Sequence, residues 1–263
     1  MEEKYEQISI GAGTLSWDYG TLATEVYELD KPIGHSFGDV EYYTRHLAGV
    51  TGRVLEPAAG TGRVLIPLLA AGFAVEGLDS SPQMLAVCRQ HCRDRGLDPV
   101  LREADMTAFV RAQTYQAVIM PAGSITLLAG PDATLRALTA FHQSLAPGGR
   151  LILDVPATRR VAETEPMRHW RRDSCLWTLQ TMHIEYDRAA NQTTRFLRYE
   201  KWRDGGLLAT ELQIFRLQHW SLPEFGQLLG EAGFTDVRVT ADYHDTGAPG
   251  PDSDDWTFHA TRP

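Results

Sequence analysis

The chain has 263 residues, of which 43% are hydrophobic and 22% charged, and a formal charge of −9. That length holds one large α/β domain or two small ones, and the composition excludes a disordered protein, a coiled coil and a disulfide scaffold. A membrane-spanning helix is excluded too: the longest apolar run, Leu65 to Val75, is broken by Pro67 and Gly72 and falls well short of the about 20 residues a span needs.

The first five residues, Met1-Glu2-Glu3-Lys4-Tyr5, show no basic patch leading into an apolar core, so no signal peptide is expected. Residues 1–50 read as a helical lead-in, with Tyr19, Tyr27, Tyr42 and Tyr43 among apolar and acidic positions. From Arg53 onward, short apolar runs alternate with amphipathic stretches, the pattern of a parallel sheet with crossover helices. Strands are expected at 53–56, 74–79, 99–102, 115–121 and 150–155. Helices are expected between them, one opening at Ser81-Pro82 and one stopping at Pro147-Gly148-Gly149. Residues 176–219 break the alternation and predict three antiparallel strands, with a hairpin at Asp204-Gly205-Gly206. A helix at 223–232 and strands at 235–242 and 254–261 complete the chain. The expected architecture is α/β: a seven-stranded mixed sheet with helices on both faces and a three-stranded β insertion. The divisions are a helical lid at 1–50, a cofactor-binding core at 51–156, the insertion at 157–220, and a closing helix and strands at 221–263.

Three cysteines cannot all pair, and Cys88 and Cys92 share one helix face as small core residues; a reduced, cytoplasmic protein is expected. The acidic balance argues against a nucleic-acid partner and for a small molecule. No membrane partner and no metal site are expected. A second copy could dock on the β insertion.

The first strand, turn and helix carry the most specific chemistry. Glu56 closes the strand, and Gly60-Thr61-Gly62 lets the backbone turn sharply so that a ligand can lie against main-chain N–H groups. A dinucleotide site needs a third glycine where this chain has Leu65. A carboxylate at the mouth also opposes a pyrophosphate and suits a cation. The stretch Glu56-Pro57-Ala58-Ala59-Gly60-Thr61-Gly62-Arg63 resembles motif I of the class I S-adenosylmethionine-dependent methyltransferases, whose fold is Rossmann-like. Asp79, Glu103-Ala104-Asp105-Met106 and Leu145-Ala146-Pro147-Gly148-Gly149-Arg150 follow in that family's order. The resemblance implies S-adenosylmethionine as cofactor and S-adenosylhomocysteine as its product. It implies Asp79 on the ribose hydroxyls, Asp105 on the adenine amine, and Met106 and Met84 on the ring. Ala58, Ser80 and Pro121 complete the implied cofactor site.

The segment Trp17 to Tyr27 looks like the opening of small-molecule N-methyltransferases, including aminosugar and glycine N-methyltransferase-like members. There the tyrosines cover the methionine end of the cofactor, which gives Tyr19 and Tyr27 lid and positioning roles; His35, in a glycine-bracketed loop, is a further candidate. Acceptors of open α/β sheets lie beyond the carboxyl ends of the strands, which selects Ser124 and Ile125 after the fourth strand. His183 and His244 are further candidates for the acceptor pocket. Some aminosugar enzymes carry a His where this chain has Leu127. The expected reaction is in-line methyl transfer to a small molecule, foremost the nitrogen of an amine-bearing secondary metabolite. O- or C-methylation of an aromatic, or a non-catalytic cofactor-binding regulator, are the alternatives. Met120-Pro121-Ala122-Gly123 lacks the N-P-P-Y pattern of nucleic-acid methyltransferases.

Overall fold

The computed structural model describes residues 19–157, 165–250 and 252–263. Trp17 and Asp18, and the rest of the lead-in before Tyr19, lie outside the described residues. The described chain forms two sheets. The larger has seven strands: β1 (Arg53–Pro57), β2 (Val75–Asp79), β3 (Leu101–Glu103), β4 (Tyr115–Met120), β5 (Leu145–Pro156), β10 (Thr235–Ala241) and β11 (Asp255–Thr261). Their spatial order is β10-β11-β5-β4-β1-β2-β3. β1 to β5 run parallel, while β11 is antiparallel to both β5 and β10. β1 therefore has β2 on one side and β4 on the other. The chain reverses its direction of winding there, and such a switch point opens a crevice at the strands' carboxyl ends.

Helices α3 (Leu65–Ala70), α4 (Pro82–Arg93), α5 (Gly130–Ser144) and α6 (Leu222–Glu231) cover the sheet. One apolar cluster joins α5 and α6 to Leu55, Val118 and Leu153. The other joins α2 (Asp39–His46) and α3 to Val54, Ile119 and Ile152. Alternate residues of one buried strand thus feed opposite layers, as the period-two pleat requires. A strand of continuous apolar character follows from burial on both faces. α5 ends at Ser144 rather than at Pro147: Leu145 is already extended, and the Pro147-Gly148-Gly149 turn is drawn into β5. Gly148 N–H donates to the Arg262 carbonyl, and Arg262 N–H to that of Gly149.

The second sheet is antiparallel, β6-β7-β8-β9, built from Arg168–Arg172, Cys175–Asp187, Gln192–Arg203 and Gly206–Gln218. It has four strands where the sequence predicts three. The added edge strand, β6, reads Arg-His-Trp-Arg-Arg and is largely exposed, so it carries no apolar alternation to announce it. The lead-in helices part company. α2 buries Tyr42 and Tyr43 in the main core, whereas Leu22, Ala23 and Val26 of α1 (Thr21–Asp30) pack on Trp177, Leu197 and Tyr199 of the second sheet.

Candidate active site

The turn after β1 holds Ala58, Gly60 and Gly62 at positive φ, 57°, 56° and 91°. This folds it back so that Gly60 N–H donates to Asp79 Oδ2 at 2.8 Å. Asp79 Oδ1 accepts from Ser81 N–H at 2.9 Å, and Ser81 Oγ in turn accepts from Met84 N–H as the α4 N-cap. The ends of β1 and β2 are thereby locked by one carboxylate. A β-carbon at Gly77 would fall 2.6 Å from Leu65 Cδ1. The close helix–strand approach that a dinucleotide fold secures with a third glycine on the helix is secured here by a glycine on the strand.

These elements line a cavity of about 400 Å³ between the sheet's carboxyl ends and β9. Of the residues singled out in the sequence, Tyr19, Tyr27, Ala58, Gly60, Asp79, Ser80, Met84, Asp105, Met106 and Ser124 line it. Tyr19 and Tyr27 meet edge to face, centroids 6.0 Å apart, and Tyr19 meets Phe215 likewise at 6.3 Å. Burial raises both tyrosines' pKa values, with Arg63 opposing it at Tyr27, so both hydroxyls stay protonated donors.

Behind this wall lies a charged layer. Glu56 is buried, with Oε2 lacking any hydrogen-bond partner among the described residues; burial pushes its carboxyl pKa up to about 8, against the pull of Arg63. Thr61 Oγ1 and Arg63 Nε are likewise buried without partners. Arg63 forms a two-pronged pair with the fully buried Asp39, whose Oδ1 also accepts from Phe37 and Val40 N–H. The start of α2 is thereby pinned to the turn. Gly62 packs inward, its hypothetical Cβ 2.8 Å from Cys88 Sγ, whereas the same atom at Gly60 would enter open space. A buried carboxyl oxygen without a hydrogen-bond partner among the described residues, in the same turn as a glycine that opens onto free space, suits a cationic ligand approaching close to the backbone, and the residues present fit S-adenosylmethionine.

Other expectations fall elsewhere. Pro121 and Ile125 are buried behind the cavity wall, Ile125 in the main core. His35 contributes its carbonyl to Arg63 at 3.1 Å and meets the Phe37 ring edge to face, outside the cavity lining. His183 is 64% exposed beside Glu185, and His244 lies exposed in the turn after β10. Neither reaches the cavity. Ser81, Ala104, Leu127, Leu128, Gln213, Phe215 and Arg216 line it without having been singled out as site residues. Gln213 and Phe215 alternate with Glu211 on one face of β9, a period-two signal that points them at a common surface.

Residues 54–149 match the methyltransferase domain family. Over 194 residues, 72% of this chain and 65% of the relative, the sequence is 30% identical to a glycine/sarcosine N-methyltransferase of Parasynechococcus marenigrum (strain WH8102). It is also 30% identical over 142 residues, 52% of this chain and 54% of the relative, to the dTDP-3-amino-3,6-dideoxy-alpha-D-glucopyranose N,N-dimethyltransferase of Streptomyces fradiae. The fold superposes on the sugar N-methyltransferase KedS8 of Streptoalloteichus sp. ATCC 53650 with a TM-score of 0.73 and 19% identity, covering 97% of this chain and 98% of the other. The fold is that of the Rossmann-like S-adenosylmethionine-dependent methyltransferases. The protein is an S-adenosylmethionine-dependent methyltransferase, with its methyltransferase domain at residues 54–149.

Proposed function

We propose that the protein methylates the nitrogen of a small, amine-bearing secondary metabolite in the cytoplasm. The observation that carries this reading is that two cavities adjoin. Tyr19, Tyr27, Gln213 and Phe215 line both the cofactor cavity and a second one of about 220 Å³ between α1 and the second sheet. An acceptor lodged in the second space would lie against the wall it shares with the first, in a volume of small-molecule size. The N-methyltransferases among the relatives support an amine, and the three free cysteines support a reducing compartment.

When bound, S-adenosylmethionine supplies a methyl group already activated by its positive sulfur. The chain's residues do the rest. Gly60 and Asp79 hold the nucleoside end, Asp105 and Met106 the base, and Glu56 the ammonium. Tyr19, Tyr27 and Phe215 wall off water and fix the acceptor's approach. Alignment of this kind is worth about 7–11 kcal/mol, which outweighs the roughly 4.6 kcal/mol needed to deprotonate a lysine-like amine at pH 7. No histidine lines either cavity among the described residues; Leu127 occupies the wall where some aminosugar enzymes carry one. The amine would therefore give up its proton to solvent before it docks behind this wall.

The test is isothermal titration with S-adenosylhomocysteine, followed by a donor-dependent assay over amines, phenols and indoles. Donor-product binding with methylation of amines is expected. Binding of the product with no methylation of any amine would sink the acceptor assignment, and absence of binding would sink the whole reading.

A further inference from the structure

The second cavity is charged in an unbalanced way. Lys31, Arg168 and Arg195 line it against Asp30 and Glu165. Arg168 is paired with Asp30, and Arg195 with Glu165 at 3.1 Å. Thr181 Oγ1 also donates to Glu165, at 2.8 Å, so both carboxylates are committed. Lys31 is left over. Among the described residues it has no ion-pair partner, and its ammonium stands 5.3 Å from the centroid of the Tyr27 ring. Burial lowers its pKa, with Arg63 and Arg168 adding to the effect and Asp30 and Asp39 opposing it. Arg195 keeps Nε buried and without a hydrogen-bond partner among the described residues. A partly desolvated cation with no ion-pair partner among the described residues, lining the same cavity as an unpartnered guanidinium N–H, makes a site suited to an anion.

We propose that this cavity is an anion subsite of the acceptor: the amine that is methylated also carries a carboxylate or phosphate, which Lys31 and Arg195 hold. The proposal rests on the reading of the protein as a small-molecule N-methyltransferase and narrows its substrate class. The anion and the nucleophilic nitrogen would stand at opposite ends of one small molecule. The first lies by the C-terminal end of α1, where Lys31 caps the helix; the second passes Tyr19 and Tyr27 toward the cofactor cavity. Lys31 would then be a specificity-determining residue, because a neutral acceptor would leave its charge uncompensated.

Titration of inorganic phosphate and of acetate, at constant ionic strength, tests the proposal on the free protein and on the protein saturated with S-adenosylhomocysteine. At least one anion is expected to bind the wild type. Lys31→Met should weaken it about tenfold, the loss of one charge-assisted contact, and Lys31→Arg should restore most of it. Phosphate binding without acetate binding assigns a phosphorylated acceptor, and the reverse a carboxylic acid. If neither anion binds, or if Lys31→Met binds as the wild type does, the proposal is overturned. S-adenosylhomocysteine binding is read in the same samples. Its presence without anion binding removes the subsite alone, whereas its absence removes the underlying methyltransferase reading.

Discussion

Glu211 of β9 closes the N-terminus of α1: its Oε2 accepts from Leu22 N–H at 2.9 Å and its Oε1 from Ala23 N–H at 3.1 Å. The helix has no cap of its own, since Gly20 stands at the N-cap position. Gly20 is required there by space, because a β-carbon would fall 2.6 Å from the Glu211 carboxylate. The second sheet thus supplies both the missing acceptor and the negative charge that the helix end favours. Ser81 Oγ ties the same region to the core by donating to the Tyr19 carbonyl at 2.9 Å. Glu211→Ala is expected to cost about 0.5–2 kcal/mol and to lower Tm by about 1–8 °C. It should also raise the KM for the donor, because the start of α1, just after Tyr19, loses its tie to β9. Melting curves and donor titrations check this; an unchanged melting point with an unchanged KM would contradict it.

The two glycines of the turn make opposite predictions. Both have positive φ, so alanine at either pays roughly 1–2 kcal/mol of backbone strain. At Gly62 the new methyl also meets Cys88 Sγ at 2.8 Å and Ile66 Cδ1 at 2.9 Å, adding about 1–3 kcal/mol of overpacking. At Gly60 it meets nothing within 4 Å and occupies the cradle instead. Gly60→Ala should therefore lose donor-product affinity out of proportion to stability, and Gly62→Ala the reverse. Chemical denaturation and calorimetric titration of the two variants provide the comparison, and a reversed ranking would move the cofactor away from Gly60.

What was legible in the sequence is what is local. Glu56–Arg63 is one continuous turn, and Asp79 and Asp105 each accept from a backbone N–H two residues on, so residue type and spacing announce them. Glu211, Gln213 and Phe215 act across a gap of about 190 residues in sequence, and no local pattern links them to Leu22 or Tyr19. His183 shows a different failure. Period-two counting puts it on the face of Thr181, which lines the second cavity, but the β7–β8 register shifts between Thr181 and His183. Such a bulge re-aims the following side chains, and His183 is turned to solvent. The lead-in was legible as helix yet not as two helices with different partners, because the apolar faces of α1 and α2 look alike until the second sheet is present to take one of them.

The raised pKa of Glu56 has a definite sign. The folded chain holds this proton up to about pH 8, whereas the unfolded carboxyl, with its ordinary value of 4.5, releases it earlier. The folded state therefore binds more protons between those limits, and Glu56's contribution to stability falls as pH rises through them. Glu56→Gln should flatten the decline of Tm between pH 5 and 8 in the ligand-free protein. A cation that pairs with the carboxylate draws the proton off, so donor-product binding should release protons near pH 7. It should strengthen as pH rises from 6 to 8, and Glu56→Gln should abolish both effects. Calorimetry in buffers of different ionisation enthalpy measures the release. Wild-type binding with no proton release at pH 7 would mean that Glu56 faces something other than the ligand's cation.

Asp154 is another carboxyl whose pKa burial raises, and its geometry dictates which substitution it tolerates. Burial pushes its pKa up to about 7, against hydrogen bonds from Tyr43, Thr257, Tyr243 and Ala122. Its Oδ2 accepts from Ala122 N–H at 3.0 Å and Tyr243 hydroxyl at 2.9 Å, and its Oδ1 from Thr257 Oγ1 at 2.9 Å. Ala122 has a positive φ of 58° and opens the turn to Ser124, a cavity residue. Asn can place its oxygen at Oδ2 and donate its amide to Thr257, whose hydroxyl reverses its role. Asp154→Asn should therefore keep the fold and the activity while removing this group's share of the pH dependence. Asp154→Ala strands the Ala122 N–H and the Tyr243 hydroxyl at about 1–3 kcal/mol each, and frees the turn to move Ser124. Its kcat/KM should fall along with its stability at every pH. Urea unfolding from pH 5 to 8, with activity measured at the same points, separates the two variants. Equal losses for Asn and Ala would mean that the charge, not the hydrogen-bond geometry, is what this position supplies.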